Sequence, residues 1–265
     1  MRRVLPSLDY LDRGQGKAVV MIPGLEGNKE FWRNQVGAFS ARYRVVASGL
    51  LKRQPSSQSS VIVHAGDVVR LLDHLSLDRV ALVGQSFGGM VAQEVAIHHP
   101  DRVAALVLCN TTDRPDRGRL GMNLFTLATF AHPLVFALPR SRHKPYLRWV
   151  GKHRGFVMDP SPGNDQLAEY VVEWGLRHGL GPNLERAVAG IRARTTERLS
   201  RIRSPTLVLR GSEDWIISPR TTGRLVERIS GARLAVVEGG GHCCPYTMPG
   251  ETNRRIMEFL DSVRY

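Results

Sequence analysis

The chain of 265 residues is 42% hydrophobic and 23% charged, and it carries a formal net charge of +13. This is a globular composition, and the length allows one large domain or a domain with an inserted subdomain. Only five of the 37 basic residues are lysine, an arginine bias that is typical of coding composition. No helix-turn-helix, zinc-finger spacing or aromatic-flanked basic strand accompanies the charge. Nucleic acid is therefore not expected as a partner.

Short runs rich in valine, isoleucine and leucine predict strands that are buried on both faces of a parallel sheet. These runs are Ala18–Ile22, Arg44–Ala47, Val80–Val83, Val103–Leu108, Thr206–Leu209 and Leu234–Val237. Segments with helical spacing lie between them, at Asn28–Ala41, Val61–Leu75 and Phe87–His98. The repeated strand–helix order predicts a doubly wound, mostly parallel α/β sheet with right-handed crossovers.

This order is interrupted over residues 114–204. The segment contains no convincing strand, but prolines separate helix-like pieces around Leu120–Phe130, Gln166–Arg177 and Leu184–Arg194. The sequence therefore predicts a core formed by residues 1–113 and 205–265, with a helical cap over 114–204. Polar interruptions and a central proline in the apolar stretch Leu120–Leu138 favour short buried or interfacial helices over a membrane span.

The strongest motif is Gly84-Gln85-Ser86-Phe87-Gly88-Gly89, which follows a predicted strand and opens a predicted helix. A serine in a strained strand-to-helix turn needs neighbours without side chains, and the turn lifts its hydroxyl clear of the sheet. The competing interpretation is a glycine-rich turn that serves packing or phosphate binding, but no Walker lysine is present. The motif predicts that Ser86 is a nucleophile.

A serine hydroxyl needs a base, and the base needs an orienting carboxylate. His242 follows three glycines directly after the last predicted strand, a loop that can place an imidazole over a distant serine. Asp214 emerges after the strand Thr206–Leu209, at the sheet edge where open α/β sheets build their sites. Glu213 and Asp113 are the rival carboxylates.

An oxyanion hole requires two donors aimed at the developing negative charge. The backbone N–H of Phe87, directly after the nucleophile, is expected to be one of them. The other is expected from the loop after Ala18–Ile22, and Leu25 N–H is the candidate. No metal is expected, because Glu94 and His98 share a predicted helix face but have no third ligand.

Taken together, Pro23-Gly24-Leu25, the serine motif, Asp214-x-x-x-x-Pro219 and Gly241-His242 resemble the α/β-hydrolase superfamily, serine-nucleophile branch, with a lid inserted after the sixth strand. The resemblance covers about 1–113 and 205–265. It implies an acyl-transfer enzyme with a covalent acyl-serine intermediate and no cofactor. Pro23-Gly24 stands where many members have His-Gly, so individual substrate specificities do not transfer.

A second resemblance is to the maspardin branch. It rests on residues 71–80, the serine motif, Leu108-Cys109-Asn110, and Gly240 with Pro245-Tyr246 and Glu251-Thr252-Asn253. Maspardin is regarded as a binding or adaptor protein whose catalytic histidine position is altered. Because His242 is present here, the sequence favours retained chemistry over an adaptor role.

The expected function is hydrolysis of a carboxylic ester or thioester with an apolar acyl group under the lid, and a small molecule is the expected partner. Pocket candidates are Leu124, Phe125 and Trp215. A lactone or carbon–carbon bond hydrolase using the same triad is an alternative, as is the adaptor. Nine Lys/Arg residues against one acid between Arg114 and Arg154 suit an anionic substrate or a membrane surface, or form a solvated rim.

The expected location is cytoplasmic. The three cysteines, Cys109, Cys243 and Cys244, form no disulfide framework, since two of them are adjacent, and this usage suits a reducing compartment. The first residues are basic but lack an apolar run of signal-peptide length.

Overall fold

A computed structural model of the chain describes residues 8–115 and 181–265, together with positions 139, 141–142, 145, 165–167, 169–170 and 173. The described strands form one seven-stranded sheet in the order β1-β3-β2-β4-β5-β6-β7. They are β1 (Tyr10–Arg13), β2 (Ala18–Ile22), β3 (Arg44–Ser48), β4 (Val80–Gln85), β5 (Val103–Cys109), β6 (Thr206–Gly211) and β7 (Arg233–Val237). Strand β1 pairs antiparallel with β3, and the other neighbours pair in parallel.

Helices lie between the parallel strands and after the last of them. Among the described residues they are α1 (Arg33–Phe39), α2 (Val61–His74), α3 (Phe87–His98), α4 (Gly181–Arg192), α5 (Pro219–Arg228), α6 (Cys244–Thr247) and α7 (Pro249–Ser262). Three-ten turns cover Lys29–Trp32, Pro100–Arg102 and Thr196–Arg201. Serine caps start two of the helices: the side chain of Ser60 accepts the N–H of Ile62 before α2, and Ser218 accepts that of Thr221 before α5. Such a cap satisfies a backbone donor that the first helical turn leaves unpaired.

The core lies on both faces of the sheet, because successive strand side chains point to opposite sides. Val20 and Leu82 pack on the face covered by α2 and α3. Val19 and Val83 pack on the opposite face with residues of α1 and α7. All four side chains are fully buried, and each such burial stabilises the fold by roughly 1.5–3 kcal/mol.

The six strands predicted from sequence are present, each end within two residues of its prediction. Strand β1 was missed, because its four residues are half-buried or exposed and lack an apolar run. The predicted helix over Asn28–Ala41 is a three-ten turn followed by the shorter α1. Among the described residues one strand, β1, precedes the parallel strands, so the segment expected to follow the sixth strand follows the fifth of the seven described strands.

The end of the predicted cap packs directly on the core. Helix α4 begins three residues before the predicted Leu184–Arg194 and contacts α2 and α3. Ala189 and Leu199 belong to the same apolar cluster as Leu82 of β4. The predicted helix Leu120–Phe130, the apolar stretch to Leu138, and most of Gln166–Arg177 lie outside the described residues. Within the described part of the chain, no helix has the length and hydropathy needed to span a membrane.

Candidate active site

Ser86 stands in a strained turn between β4 and α3. Its φ of 52° and ψ of −118° are values that residues with a side chain rarely adopt. The turn closes only because its neighbours are glycines: a Cβ on Gly84 would lie 2.4 Å from Gly88 O, and one on Gly88 would lie 2.3 Å from Ile22 O. The hydroxyl of Thr111 donates to Ser86 O at 2.6 Å and fixes the turn from behind. The local sequence thus places the Ser86 hydroxyl at the carboxyl edge of the sheet.

The three residues expected to form a triad lie together, in hydrogen-bonding order. Ser86 Oγ is 2.9 Å from His242 Nε2. His242 Nδ1 is 3.0 Å from Asp214 Oδ2 and 3.2 Å from Oδ1. The side chain of Asp214 is fully buried, that of His242 is 13% exposed, and Ser86 is 8% exposed. The imidazole is therefore held between a buried carboxylate and the hydroxyl of a serine that is itself largely buried.

Asp214 is held by its own loop. Its Oδ1 accepts the N–H groups of Ile216 and Ile217, both at 2.9 Å. These bonds fix the plane of the carboxylate and leave Oδ2 directed at His242. The neighbouring rival, Glu213, has an exposed side chain, so only Asp214 of this pair faces the imidazole.

The second rival, Asp113, belongs to a different ion pair. It is fully buried and bonded to Arg224 at 2.7 Å, and it also accepts the hydroxyl of Thr196. Burial raises the pKa of Asp113, but hydrogen bonds from Arg224 and Thr196 outweigh burial, and the pKa is lowered overall. The ion pair of Asp113 with Arg224 therefore links the chain just before the predicted cap to the chain after it.

Two side chains that the sequence did not single out as functional hold the histidine loop. Asn110, at the end of β5, donates to His242 O at 2.8 Å and accepts the N–H of Gly211 at 2.8 Å. Gln85 donates to His242 O at 3.1 Å. Asn110 has a φ of 45°, which asparagine tolerates better than most residues. The one local signal for Asn110 was its position at the end of a predicted strand. From the sequence, Asn110 contributed only to the resemblance to the maspardin branch.

The expected oxyanion donors flank the nucleophile. Phe87 is the first residue of α3, so its N–H lies at the open end of the helix, where backbone donors are free of helical partners. Leu25 lies in a turn closed by a bond from Gly27 N to Gly24 O at 3.0 Å. A Cβ built on Gly24 would be 3.5 Å from Ser86 Cβ, so this turn runs directly beside the serine.

A buried arginine near a partly buried glutamate, both also missed from sequence, lies behind the same turn. Arg186 of α4 is 2% exposed, and burial lowers its pKa to about 10, against the opposing effect of Glu26 and Glu185. Burial raises the pKa of Glu26, while the charges of Arg186 and His242 act in the opposite direction. The guanidinium therefore remains charged near neutral pH, next to the turn that runs beside Ser86.

The other predicted site residues have mixed outcomes. Trp215 is 68% exposed beside Asp214, and Leu124 and Phe125 lie outside the described residues, so the pocket stays a prediction. Glu94 forms two 2.7 Å bonds to Arg198. No group of three or more potential metal ligands occurs within the described ranges.

Sequence comparison places the chain in a family. The model of the alpha/beta hydrolase fold family matches residues 17–247. The chain belongs to this family of hydrolases. It is 27% identical over 262 residues to RutD of Rhizobium rhizogenes, a protein provisionally named a carbamate hydrolase, and the match covers 94% of this chain and 95% of that protein.

Solved structures agree on the fold. A thermophilic esterase from Thermogutta terrifontis superposes with a TM-score of 0.75 at 24% identity. The match covers 97% of this chain and 94% of the esterase chain. The enol-lactonase from Burkholderia xenovorans LB400 has a TM-score of 0.76 at 20% identity and covers 96% of each chain. At this level of identity the likeness concerns the fold alone.

Proposed function

We propose that this protein is a serine hydrolase that cleaves carboxylic esters or thioesters through an acyl-serine intermediate. One observation carries the proposal: an unbroken line of hydrogen bonds runs from Ser86 Oγ to His242 Nε2 at 2.9 Å and from His242 Nδ1 to Asp214 at 3.0 Å. This arrangement supplies a nucleophile, a base and a carboxylate that fixes the tautomer of the base.

In the proposed acylation step, Ser86 Oγ attacks the substrate carbonyl carbon while its proton passes to His242 Nε2. The carbonyl π electrons move to oxygen, and the backbone N–H groups of Phe87 and Leu25 receive the oxyanion. Asp214 accepts a hydrogen bond from Nδ1 and stabilises the imidazolium that forms. The tetrahedral species then collapses, the bond to the leaving group breaks, and His242 returns the proton to the leaving alcohol or thiol.

Deacylation repeats these events with water. His242 takes a proton from water as the hydroxide oxygen adds to the acyl carbon, and the second oxyanion occupies the same two donors. Collapse breaks the acyl–Ser86 bond and the proton returns to Ser86 Oγ. The net reaction consumes one ester or thioester and one water and needs no cofactor.

A second candidate reaction is carbamate hydrolysis, favoured by the likeness to RutD over 94% of the chain. A carbamate presents a carbonyl to the same nucleophile, so the same three residues would act. Carbamates and esters differ in electrophilicity and in the substituent beside the carbonyl, and a substrate panel separates them. It should hold p-nitrophenyl esters of increasing chain length, an acyl thioester, a simple lactone, and unsubstituted and N-alkyl carbamates.

Fluorophosphonate labelling tests the proposal against the alternative of an adaptor on a hydrolase scaffold. An activated serine reacts covalently, and an adaptor without an activated serine does not. We expect wild type to be labelled, whereas Ser86→Ala should abolish labelling and lower turnover on the order of a millionfold, the usual cost of removing a triad nucleophile.

The matched control is Ser57→Ala, which removes the hydroxyl of an exposed serine. This variant should be labelled as fast as wild type. An unlabelled wild type, or a Ser86→Ala variant that keeps activity within tenfold, would contradict the proposed function.

A further inference from the structure

Helix α4 contacts both residues whose backbone N–H groups form the proposed oxyanion hole. On one side, Arg186 Nε donates to Leu25 O at 2.5 Å, and its Nη2 donates to Glu26 O at 3.1 Å. On the other side, the preceding residue, Glu185, bonds to His64 Nε2 at 2.9 Å. Two consecutive residues of α4 therefore connect to the two proposed donors: Arg186 bonds to Leu25 directly, and Glu185 bonds to His64, which packs on Phe87.

The contact with Phe87 is made by packing. The ring of His64 lies edge-on against the ring of Phe87, with centroids 5.1 Å apart and an interplanar angle of 86°. A Cβ on Gly190, one turn further along α4, would lie 3.5 Å from the Phe87 ring. His64 and Glu185 are both nearly fully buried. The position of the Phe87 ring is therefore set by α2 and α4 together.

The contact with Leu25 is made by hydrogen bonds. Arg186 also donates to Asn183 Oδ1 at 2.7 Å, so its guanidinium has a fixed orientation on its own helix. It then holds two successive carbonyl groups of the turn that runs beside Ser86. The Leu25 N–H belongs to the planar Gly24–Leu25 peptide, whose carbonyl accepts the N–H of Gly27 at 3.0 Å. Arg186 holds the next peptide through Leu25 O, so both peptide planes that meet at the Leu25 Cα are restrained, and this limits where the Leu25 N–H can point.

Gly27 shows how closely the turn and the guanidinium fit. Its φ is +68°, and a Cβ on it would lie 2.8 Å from Arg186 Cζ. The turn is therefore shaped to receive the guanidinium, with no room for a side chain between them.

We infer that Arg186 is a positioning residue for the hydrolytic reaction: from helix α4 it holds the carbonyl of Leu25, and so restrains the Leu25 backbone in the conformation that presents its N–H to the substrate oxyanion. The inference rests on the proposed function. Arg186 contacts loop backbone and its own helix, and acts on the reaction through Leu25. It should therefore affect transition-state stabilisation far more than substrate binding.

The test compares two arginines of the same helix. Arg192 is exposed and donates to the carbonyls of Ser56 and Ser57, both at 3.2 Å. Like Arg186 it bonds to a loop of the core, but this loop forms no part of the site. For Arg186→Met we expect kcat on an ester turned over by wild type to fall about 10- to 100-fold with KM within about threefold, less than the 100- to 1000-fold cost of deleting a donor. Arg192→Met should leave kcat unchanged.

Two further measurements separate positioning from a loss of folding. Phenylboronic acid, which forms a tetrahedral adduct with an active serine, should lose affinity for Arg186→Met in proportion to kcat/KM. Arg186→Lys should recover part of kcat, because an ammonium can still donate to Leu25 O. Should Arg186→Met fail to fold, Arg186→Lys decides, since it keeps a buried cation and one donor and should lower kcat by a smaller factor with KM unchanged.

The outcomes are distinct. A wild type that resists fluorophosphonate overturns the proposed function and this inference with it. A reactive wild type overturns the inference alone if Arg186→Met keeps its kcat, if Arg192→Met loses as much, or if KM rises in place of the fall in kcat. Where Arg186→Met does not fold, an unaffected kcat in Arg186→Lys overturns it as well.

Discussion

Replacing Asp214 by asparagine should disable the site through the tautomer of His242. The amide must keep its oxygen where Oδ1 stands, because the N–H groups of Ile216 and Ile217 donate there at 2.9 Å each. Its NH₂ group then faces His242 Nδ1, which lies 3.0 Å from the present Oδ2. An NH₂ group donates, so Nδ1 must accept and the neutral ring must carry its proton on Nε2. That proton points at Ser86 Oγ, and the imidazole can no longer accept from it.

The magnitude follows from the loss of both base and charge stabilisation. We expect kcat/KM to fall about 10⁴-fold, the cost of the same exchange in a serine protease triad, which is about 5 kcal/mol of transition-state stabilisation. The fold should hardly change, because the amide keeps the bonds to the two N–H groups. The assay is kcat/KM on a p-nitrophenyl ester, with thermal melting of each variant.

Glu213→Gln is the matched control, since it makes the same change one residue earlier on an exposed side chain. Its kcat/KM should stay within about twofold of wild type, because an exposed charge is screened by solvent. An Asp214→Asn variant within tenfold of wild type, or a larger effect of Glu213→Gln, would refute the reasoning.

Two further predictions concern stability. Ser86→Gly should be inactive but more stable than Ser86→Ala by roughly 1–2 kcal/mol. Glycine relieves about 1–3 kcal/mol of backbone strain at φ 52°, and this exceeds the cost of about 0.4–1 kcal/mol from the greater entropy of its unfolded chain. Equal melting temperatures of the two variants would contradict the prediction. Asp113→Asn should lose on the order of 3 kcal/mol through its buried bond to Arg224 while kcat at a permissive temperature is kept. Because the pKa of Asp113 is lowered from 3.8, its contribution is present above that pH and is lost as the pH falls through the folded-state value, so urea unfolding should show the two proteins converging in acid. A kcat loss in Asp113→Asn would instead return Asp113 to the list of candidate acids.

What the sequence predicted well is encoded locally. The turn around Ser86 depends on contiguous residues, because Gly84 and Gly88 are required by contacts within the turn and with the neighbouring β2. Asp214 and His242 follow strand ends, and parallel strands bring their carboxyl ends to one edge. The general fold and the meeting of the three residues were therefore predictable.

What the sequence did not predict depends on contacts between distant residues. Arg186 bonds to a residue 161 positions away, and Asn110 bonds to Gly241 across 131 positions. Arg186 has no motif around it, Asn110 contributed only to a resemblance, and only the folded geometry gives either side chain a role. Strand β1 was missed for a different reason: it lies at the sheet edge and has no buried run.

The pairing of β5 with β6 has an evolutionary consequence. These strands are neighbours in the sheet although residues 110–205 separate them in the chain, so the pairing of the two strands does not depend on the length of the segment between them. Such a segment can be exchanged between lineages without altering strand pairing. The boundary of the exchange matters, however: a graft ending before α4 would keep Arg186 on the Leu25 turn, whereas a graft extending through α4 would have to bring an equivalent contact of its own. Diversification of substrate choice in this lineage is therefore expected to be freest between residues 116 and 180. It should be most restrained at the two ends of the segment, where Thr111 and Asp113 on one side and Arg186 on the other contact the core.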